Sequence, residues 1–225
     1  MKKFAAGVLV GAILSSGMVY AASINVNTVP IKFFVNGVER VSSGGQTIIH
    51  NGRTYVSAKE VSGWLGQSIY WNKSTSAVSI GKPQVEIVDA NGKKIGSATL
   101  TEEQNGVQIN LKASHLTAGK HGFHIHEKAF TGADFKTAGG HFNPEGKKHG
   151  LENPDGHHMG DMENLEVKED GTVTAEITVH NATLKKGTPN SLLGKSMIIH
   201  AKADDGKTDP SGNSGDRIAG GIIPD

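Results

Sequence analysis

His124, His126, His141, His149, His158, Asp161 and His200 are the residues of this 225-residue chain whose types and spacing can do chemistry. His124 and His126 are separated by one residue. In a strand such a pair projects from one face, so both imidazoles can clamp one ion while Phe123 and Ile125 point the other way. His200 ends a second apolar run, Ser196-Met197-Ile198-Ile199, and brings a third imidazole from far along the chain. Imidazoles without a thiolate suit copper or zinc, and the lack of a carboxylate favours copper over the hard cations.

The second group, His141, His149, His158 and Asp161, lies in a stretch rich in Gly, Pro, Asn and Lys with little apolar periodicity, which reads as a long loop. Three imidazoles and one carboxylate make a closed tetrahedral set of the structural-zinc kind, and a metal is a physical reason for so long a loop to be ordered. The other histidines lack such company. His50, His115 and His180 have no partners in sequence and read as surface residues, and His157 lacks the spacing to Asp161 that His158 has. His121 reads as a structural hydrogen-bonding residue.

The elements that must position these ligands are short strands. Runs around Val85–Val88, Gly96–Leu100 and Val107–Leu111, and the clean alternation from Val173 to Val179, are divided by Asn-Gly, Asp-Gly and Gly-rich turns. Thirty glycines and 5% aromatic residues favour a loop-rich β protein over a helix bundle. The pattern predicts a mainly β fold, a Greek-key antiparallel sandwich or barrel with long metal-binding loops.

This fold is expected over residues 83–225. Ahead of it, residues 22–82 predict a small α+β domain. Hairpins are expected at Asn36-Gly37 and Asn51-Gly52, strands at Ser68–Trp71 and Ala77–Ile80, and a helix over Ala58–Leu65 with Val61, Trp64 and Leu65 on one face and Gly66 as its stop. Gly81-Lys82-Pro83 reads as a linker. Residues 1–21 read as a secretory signal peptide: a basic start at Lys2 and Lys3, an apolar stretch to Met18, and small residues at a cleavage site. The protein is therefore expected to be secreted or associated with the cell envelope.

Residues 84–224 resemble the copper/zinc superoxide dismutase family through HGFHIHE (121–127), GGHFNPEGKKHG (139–150), HMGDMEN (158–164), IIHAKADD (198–205) and GNSGDRIAGG (212–221). The resemblance implies that His124, His126, His141 and His200 hold copper and that His141, His149, His158 and Asp161 hold zinc, with His141 bridging the two. It implies that Asp204 links a copper ligand to a zinc ligand, and that Arg217 positions an anionic substrate. The implied reaction is disproportionation of superoxide to dioxygen and hydrogen peroxide, with Lys202 and Lys207 adding attraction for the anion.

Two departures stand out. The family's intrasubunit disulfide would fall at Phe135 and Gly220, and the chain has no cysteine. Zinc and the packing of Phe135 are expected to supply the order that such a bond contributes, commonly ~2–5 kcal/mol. Asp216, next to Arg217, is expected to blunt the local positive field. The family's dimers and monomers leave a homodimer as one expected state.

Residues 30–82 resemble the small stalk-type domain similar to the copper amine oxidase N-terminal domain, through VNG (35–37), GRTYVSAKEVSGWLG (52–66) and the ending at 71–80. Residues 22–82 carry six Lys/Arg against two Asp/Glu, a net of +4, whereas residues 83–225 carry fifteen against twenty, a net of −5. The basic part is expected to meet anionic cell-wall polymers rather than nucleic acid. Two further function classes stand beside the dismutase: a non-catalytic copper/zinc buffer or chaperone of the envelope, and a wall-associated structural protein whose dismutase-like part is vestigial.

Overall fold

The computed structural model describes residues 27–28, 31–42 and 47–225, so the expected signal segment lies outside the described residues. The N-terminal part consists of β1 (Asn27–Thr28), β2 (Lys32–Val35), β3 (Val38–Val41), β4 (Ile48–His50), β5 (Arg53–Tyr55), a helix α1 (Ala58–Trp64), β6 (Ile69–Asn72) and β7 (Ala77–Ile80). It is built from hairpins, β2 with β3, β4 with β5 and β6 with β7, with β1 paired to β4. The two Asn-Gly turns have positive φ at both residues (51° and 77° at Asn36-Gly37, 50° and 71° at Asn51-Gly52), the backbone that lets a two-residue turn match the strand twist.

Ser57 caps α1, its hydroxyl accepting from Glu60 N at 3.2 Å. The expected apolar face is corrected in one respect. Leu65 sits at the C-cap and is 48% exposed, while the buried helix residue is Ser62, whose hydroxyl bonds back to Lys59 O. Leu65 keeps helical backbone, its N donating to Val61 O at 3.1 Å, but it is Trp64 that packs, with the Phe33 ring 4.9 Å away.

The remainder is one curled antiparallel sheet. Its strands are β8 (Gln84–Asp89), β9 (Lys94–Glu103), β10 (Gly106–Ala113), β12 (Phe123–His126), β14 (Val173–His180), β15 (Ser196–His200) and β16 (Arg217–Ile222), in the order β12-β15-β16-β8-β9-β10-β14. A two-stranded pair of β11 (Gly119–His121) and β13 (Leu165–Val167) completes it. The last strand, β16, lies beside the first, β8, the return connection of a Greek key, so the expected mainly β class is borne out.

Alternation fills the interior: Val107, Ile109, Leu111 and Ala113 of β10 point inward, as do Phe123 and Ile125 of β12 and Met197 and Ile199 of β15. Their neighbours His124, His126, Ile198 and His200 are buried too, but on the opposite face, beneath the long loops. The same period of two thus builds the core and places the ligands.

Gly81-Lys82-Pro83 is short and packed: Gly81 N donates to Ser68 O, Pro83 is buried and its carbonyl accepts from Leu100 N. Strand β6 also touches the end of the chain, with Trp71 N donating to Asp225 O at 3.0 Å. Among the described residues no helix is long and apolar enough to cross a membrane.

Candidate metal centre

Strand β12 is the foundation of the centre. One of its edges pairs with β15, which sets His124 opposite Ile198 and His126 opposite Ser196. Its other edge receives two single antiparallel bridges from the long loop, His124 to Asp161 and His126 to His141. Ile125 N donates to Gly160 O at 2.9 Å, Phe142 N to Ile125 O at 2.8 Å and Gly160 N to Phe142 O at 2.8 Å, so two distant loop segments are sewn to one strand residue. Gly160 has no room for a side chain at this junction: a Cβ would overlap the Ile125 carbonyl and lie 2.9 Å from Phe142 N.

All seven predicted ligands meet there. His124, His126, His141 and His200 offer nitrogens within 4.8 Å of one another, and so do His141, His149, His158 and Asp161, with His141 common to both groups. In the second group the ring nitrogens converge on one oxygen, Asp161 Oδ1, from His141 Nδ1 at 2.8 Å, His149 Nδ1 at 3.0 Å and His158 Nδ1 at 3.2 Å. The other oxygen of Asp161 accepts from Gly150 N at 2.9 Å and His158 N at 3.1 Å, which fixes the carboxylate.

The outer nitrogens are tied away. His124 Nε2 lies 2.6 Å from Asp204 Oδ2 and His149 Nε2 3.0 Å from Asp204 Oδ1, so one carboxylate joins a residue of each group. Asn164 holds that aspartate by two bonds to its backbone, at 2.8 and 2.9 Å. His126 Nδ1 donates to Gly139 O at 3.0 Å, and His200 Nδ1 lies 3.2 Å from Gly215 O and 3.0 Å from Ser214 Oγ. Such anchoring fixes ring orientation and leaves the inner nitrogen as the lone-pair donor.

The inner atoms fit a pair of metal ions. Buried His124 Nδ1, His141 Nε2 and His158 Nδ1 have no hydrogen-bond partner, an arrangement that is costly unless a ligand completes it. His126 Nε2 and His200 Nε2 face each other at 3.4 Å, where both cannot serve as acceptors for a proton at once. An all-imidazole set beside a three-imidazole, one-carboxylate set matches the donor chemistry of copper beside zinc.

Arg217 opens β16 at the rim. Its Nη1 donates to Phe135 O at 2.6 Å and its Nη2 to Gly139 O at 2.7 Å, so the Gly139 carbonyl is shared with His126. Burial lowers the Arg217 pKa and the nearby Asp134 carboxylate raises it. Asp134, the cap of a short 3-10 helix Phe135–Ala138, is thus the carboxylate acting on this guanidinium, whereas the neighbouring Asp216 is exposed.

Phe135 is 4% exposed and clusters with Phe130, Ala138 and Ile198. Gly220 lies under the same cluster. Lys202 is exposed and lies against Gly215 on the His200 side, while Lys207 lines a cleft with His149 and Asp204 on the other flank. His121 is buried with its ring nitrogens 2.7 Å from His200 O and 2.9 Å from Thr117 O, tying β11 to the end of β15.

The sequence marked the seven residues that converge here but not the carbonyls of Gly139 and Gly215, since a backbone acceptor leaves no residue signature. Nor did it mark Phe130 or Asn164. Asn164 lies inside the HMGDMEN stretch, and an amide immediately before a buried strand was an available signal.

A family model for copper/zinc superoxide dismutase matches residues 94–223, and one for the copper amine oxidase N-terminal domain matches residues 34–119. The chain belongs to the copper/zinc superoxide dismutase family. Among its relatives, a protein named superoxide dismutase [Cu-Zn] 1 from Aquifex aeolicus is 46% identical over 63% of this chain and 87% of that protein. A superoxide dismutase-like protein, YojM, from Bacillus subtilis is 44% identical over 62% of this chain and 74% of its own length. A solved SOD-like protein from Bacillus subtilis superposes with a TM-score of 0.59 at 42% identity, covering 62% of this chain and 97% of that one. The family's cofactors are copper and zinc, and the two histidine clusters can hold them.

Protonation of the metal-free centre runs in one main direction. Burial, with repulsion from neighbouring imidazoles, pushes His126 down to about 2, His200 to about 3 and His141 to about 4, and burial lowers His124 as well. In His149 the burial cost is outweighed by the bonds to Asp161 and Asp204, which raise it to about 9. Asp161 and Asp204 are held below the usual carboxylate range because their histidine bonds outweigh burial.

A depressed histidine binds fewer protons when folded, so stability is lost as pH falls below the unfolded value near 6.5, and the two carboxylates lose theirs at still lower pH. The raised His149 contributes fully below 6.5 and loses its share as pH rises through 9. The metal-free protein is therefore expected to melt highest near pH 6.5, with the midpoint falling by more than about 10 °C by pH 4.5. Thermal unfolding of metal-free protein across this range is the check, and a flat acid limb refutes the assignment.

Metal should also order the loop. Zinc-loaded protein is expected to resist proteolysis within residues 130–165 and to melt on the order of 10 °C above the metal-free form. His149→Ala, His158→Ala or Asp161→Ala should erase both gains. Equal protease sensitivity with and without zinc would show that packing alone orders the loop.

Proposed function

We propose that this protein converts superoxide to dioxygen and hydrogen peroxide outside the cytoplasm, with copper held by His124, His126, His141 and His200 and zinc by His141, His149, His158 and Asp161. The observation carrying this reading is the convergence of inner ring nitrogens whose outer nitrogens are already tied, with an arginine at the rim. The domain boundaries that go with it are a signal peptide at 1–21, a stalk-type part at 22–82 and the dismutase part at 83–225.

Copper, when bound, would supply the one-electron chemistry that the disproportionation requires. Two superoxide anions and two protons give one dioxygen and one hydrogen peroxide. Arg217 holds the monoanion: two of its N–H groups are taken by the carbonyls of Phe135 and Gly139, which aims the charge without consuming the remaining donors. His141 carries the proton. With Nδ1 directed at Asp161, its Nε2 is the atom able to receive a proton and pass it to the substrate. Asp204 keeps His124 and His149 in their tautomers, so neither ring competes as a proton carrier. The −5 balance of residues 83–225 does not oppose an anionic substrate, because the local potential at the rim sets its approach.

A second reading, a non-catalytic copper/zinc buffer or chaperone, is favoured by relatives that bear the name superoxide dismutase-like. Arg217 separates the two, since storage of a metal needs no anion-binding guanidinium. Copper- and zinc-loaded protein is expected to accelerate superoxide decay and to keep its activity under thiol reductants that do not strip copper. Arg217→Ala should lower the rate roughly tenfold or more at low ionic strength at unchanged copper content, with Arg217→Lys between the two. No acceleration by the loaded wild type would favour the buffer.

For the N-terminal part we infer attachment to anionic wall polymers. Lys32 pairs with Glu39 and Lys73 with Asp225, whereas Arg40, Arg53 and Lys59 have no acidic partner among the described residues. Full-length protein should be retained on purified cell walls at low salt and released as the screening length shortens toward ~8 Å. Changing Arg40, Arg53 and Lys59 together to Gln should abolish retention. Retention that persists in that variant would refute charge as its origin.

A further inference from the structure

The hairpin of β6 and β7 reaches the rim of the metal centre through a continuous line of contacts. Asn72 is 3% exposed and uses its amide twice. Oδ1 accepts from Ser74 N at 3.1 Å, Ser74 Oγ at 2.6 Å and Thr75 N at 3.3 Å, which shapes the turn into β7. Nδ2 donates to Ile222 O at 3.2 Å, some 150 residues away. Beside it Trp71 and Asp225 exchange backbone bonds at 3.0 and 3.3 Å, and the Lys73 ammonium lies 3.7 Å from the Asp225 carboxylate.

Ile222 ends β16 and packs against the cluster of Phe130, Phe135, Ala138 and Ile198. The ring of Phe130 stands edge-on to Phe135, 4.9 Å between centroids at 85°. It also covers Gly220, where a Cβ would lie 3.3 Å from the ring and 2.7 Å from Ile198 Cδ1. Phe135 begins the 3-10 helix and Gly139 follows it, and their carbonyls grip Arg217 at 2.6 and 2.7 Å, with that of Lys136 farther off at 3.4 Å. Hairpin, tail, aromatic cluster and guanidinium thus form one path of direct contacts.

We propose that Asn72 is a positioning residue for Arg217, acting through Ile222 and the Phe130–Phe135 pair, so that the N-terminal part braces the reactive rim instead of merely tethering it. Arg217 sits on the same strand as Ile222, but its guanidinium is aimed by the loop, and the loop is pinned to that strand by side-chain packing with no covalent link. Packing of this kind holds only as firmly as the side chains at its border, and Ile222 is a border residue whose carbonyl the hairpin fixes. What Arg217 does for the substrate rests on the dismutase reading; the mechanical path does not.

The test is Asn72→Asp in the full-length protein. The carboxylate keeps the acceptor for Ser74 and Thr75, so the turn persists, but it removes the donor to Ile222 O and sets a charge against that carbonyl. Hydrogen exchange of the Phe135, Thr137 and Gly139 amides, bonded to the carbonyls of Ala133, Asp134 and Lys136, is read by mass spectrometry with and without metals. The expected result is exchange faster by about tenfold at those amides. A superoxide rate lowered several-fold at unchanged copper and zinc content should accompany it.

Phe130→Ala should reproduce both effects and Phe130→Leu should restore most of the loss. Ile222→Ala leaves the carbonyl in place and trims only the contact with the cluster, so it must also quicken exchange at 135–139. Faster exchange confined to residues 70–80 and 222–225, or none at 135–139 in Ile222→Ala, would overturn the proposal even if Asn72→Asp does not fold. A loaded wild type without turnover removes the dismutase reading, and exchange then decides the brace alone.

Discussion

Everything in this molecule is arranged around the burial of a carboxylate, Asp161, among three imidazoles. An ionised carboxylate removed from water costs several kcal/mol unless it is paired and hydrogen-bonded. Asp161 meets that cost with two backbone N–H groups on Oδ2 and the ring nitrogens of His141 and His149 on Oδ1, while His158 Nδ1 lies 3.2 Å away without a hydrogen bond. Burial and repulsion from neighbouring imidazoles disfavour the cationic form of His141, while the bonds to Asp161 and Asp204 favour that of His149, so protons alone serve the rings unequally. A divalent ion at the focus of the four ligand atoms serves all of them. The loop from 130 to 165 is anchored at its two ends by buried Phe130, Phe135, Ala138, Phe142, Met162 and Leu165, and this focus lies between those anchors.

Around that focus the fold supplies rigidity through one strand. β12 carries core residues on one face and two ligands on the other, and both loop segments dock on its free edge. A shift of one residue in its pairing with β15 would send His124 and His126 into the apolar interior and Phe123 and Ile125 into the polar one. The register is therefore enforced by the core as strongly as by the metal ligands. The clash awaiting any side chain at Gly160 sets the distance between β12 and the loop, and with it the spacing of His126, His141 and Asp161.

The ligands were legible in the sequence because each carries a chemical signature, an imidazole or a carboxylate, and because the period of two declares which strand residues share a face. The Asn-Gly turns were legible for an equally local reason, the positive φ that their backbone requires. What the sequence did not disclose is long-range and backbone-mediated. Gly139 serves through its carbonyl, which any residue possesses. Phe130 and Gly220 matter as a pair 90 positions apart whose contact is decided by the sheet order. Leu65 is exposed although its backbone is helical, because burial depends on what packs against the helix and not on its period, and Gly81-Lys82-Pro83, linker-like in composition, is packed because strands on both sides are docked.

Asp204 couples the two histidine clusters. It accepts from His124 and His149 at once, and neither bond can be optimised if the other ring turns. Whatever ion orients His149 thereby orients His124 through one carboxylate, while His141 transmits the same constraint directly through its two nitrogens. By linkage the effect must be reciprocal: a copper site that fits better with zinc present implies a zinc site that fits better with copper present, by the same free energy. In a chain with no cysteine this mutual ordering takes over part of what a covalent tie would do. The geometry of the proposed centre is then expected to depend on metal supply, independently of the thiol–disulfide balance of its surroundings.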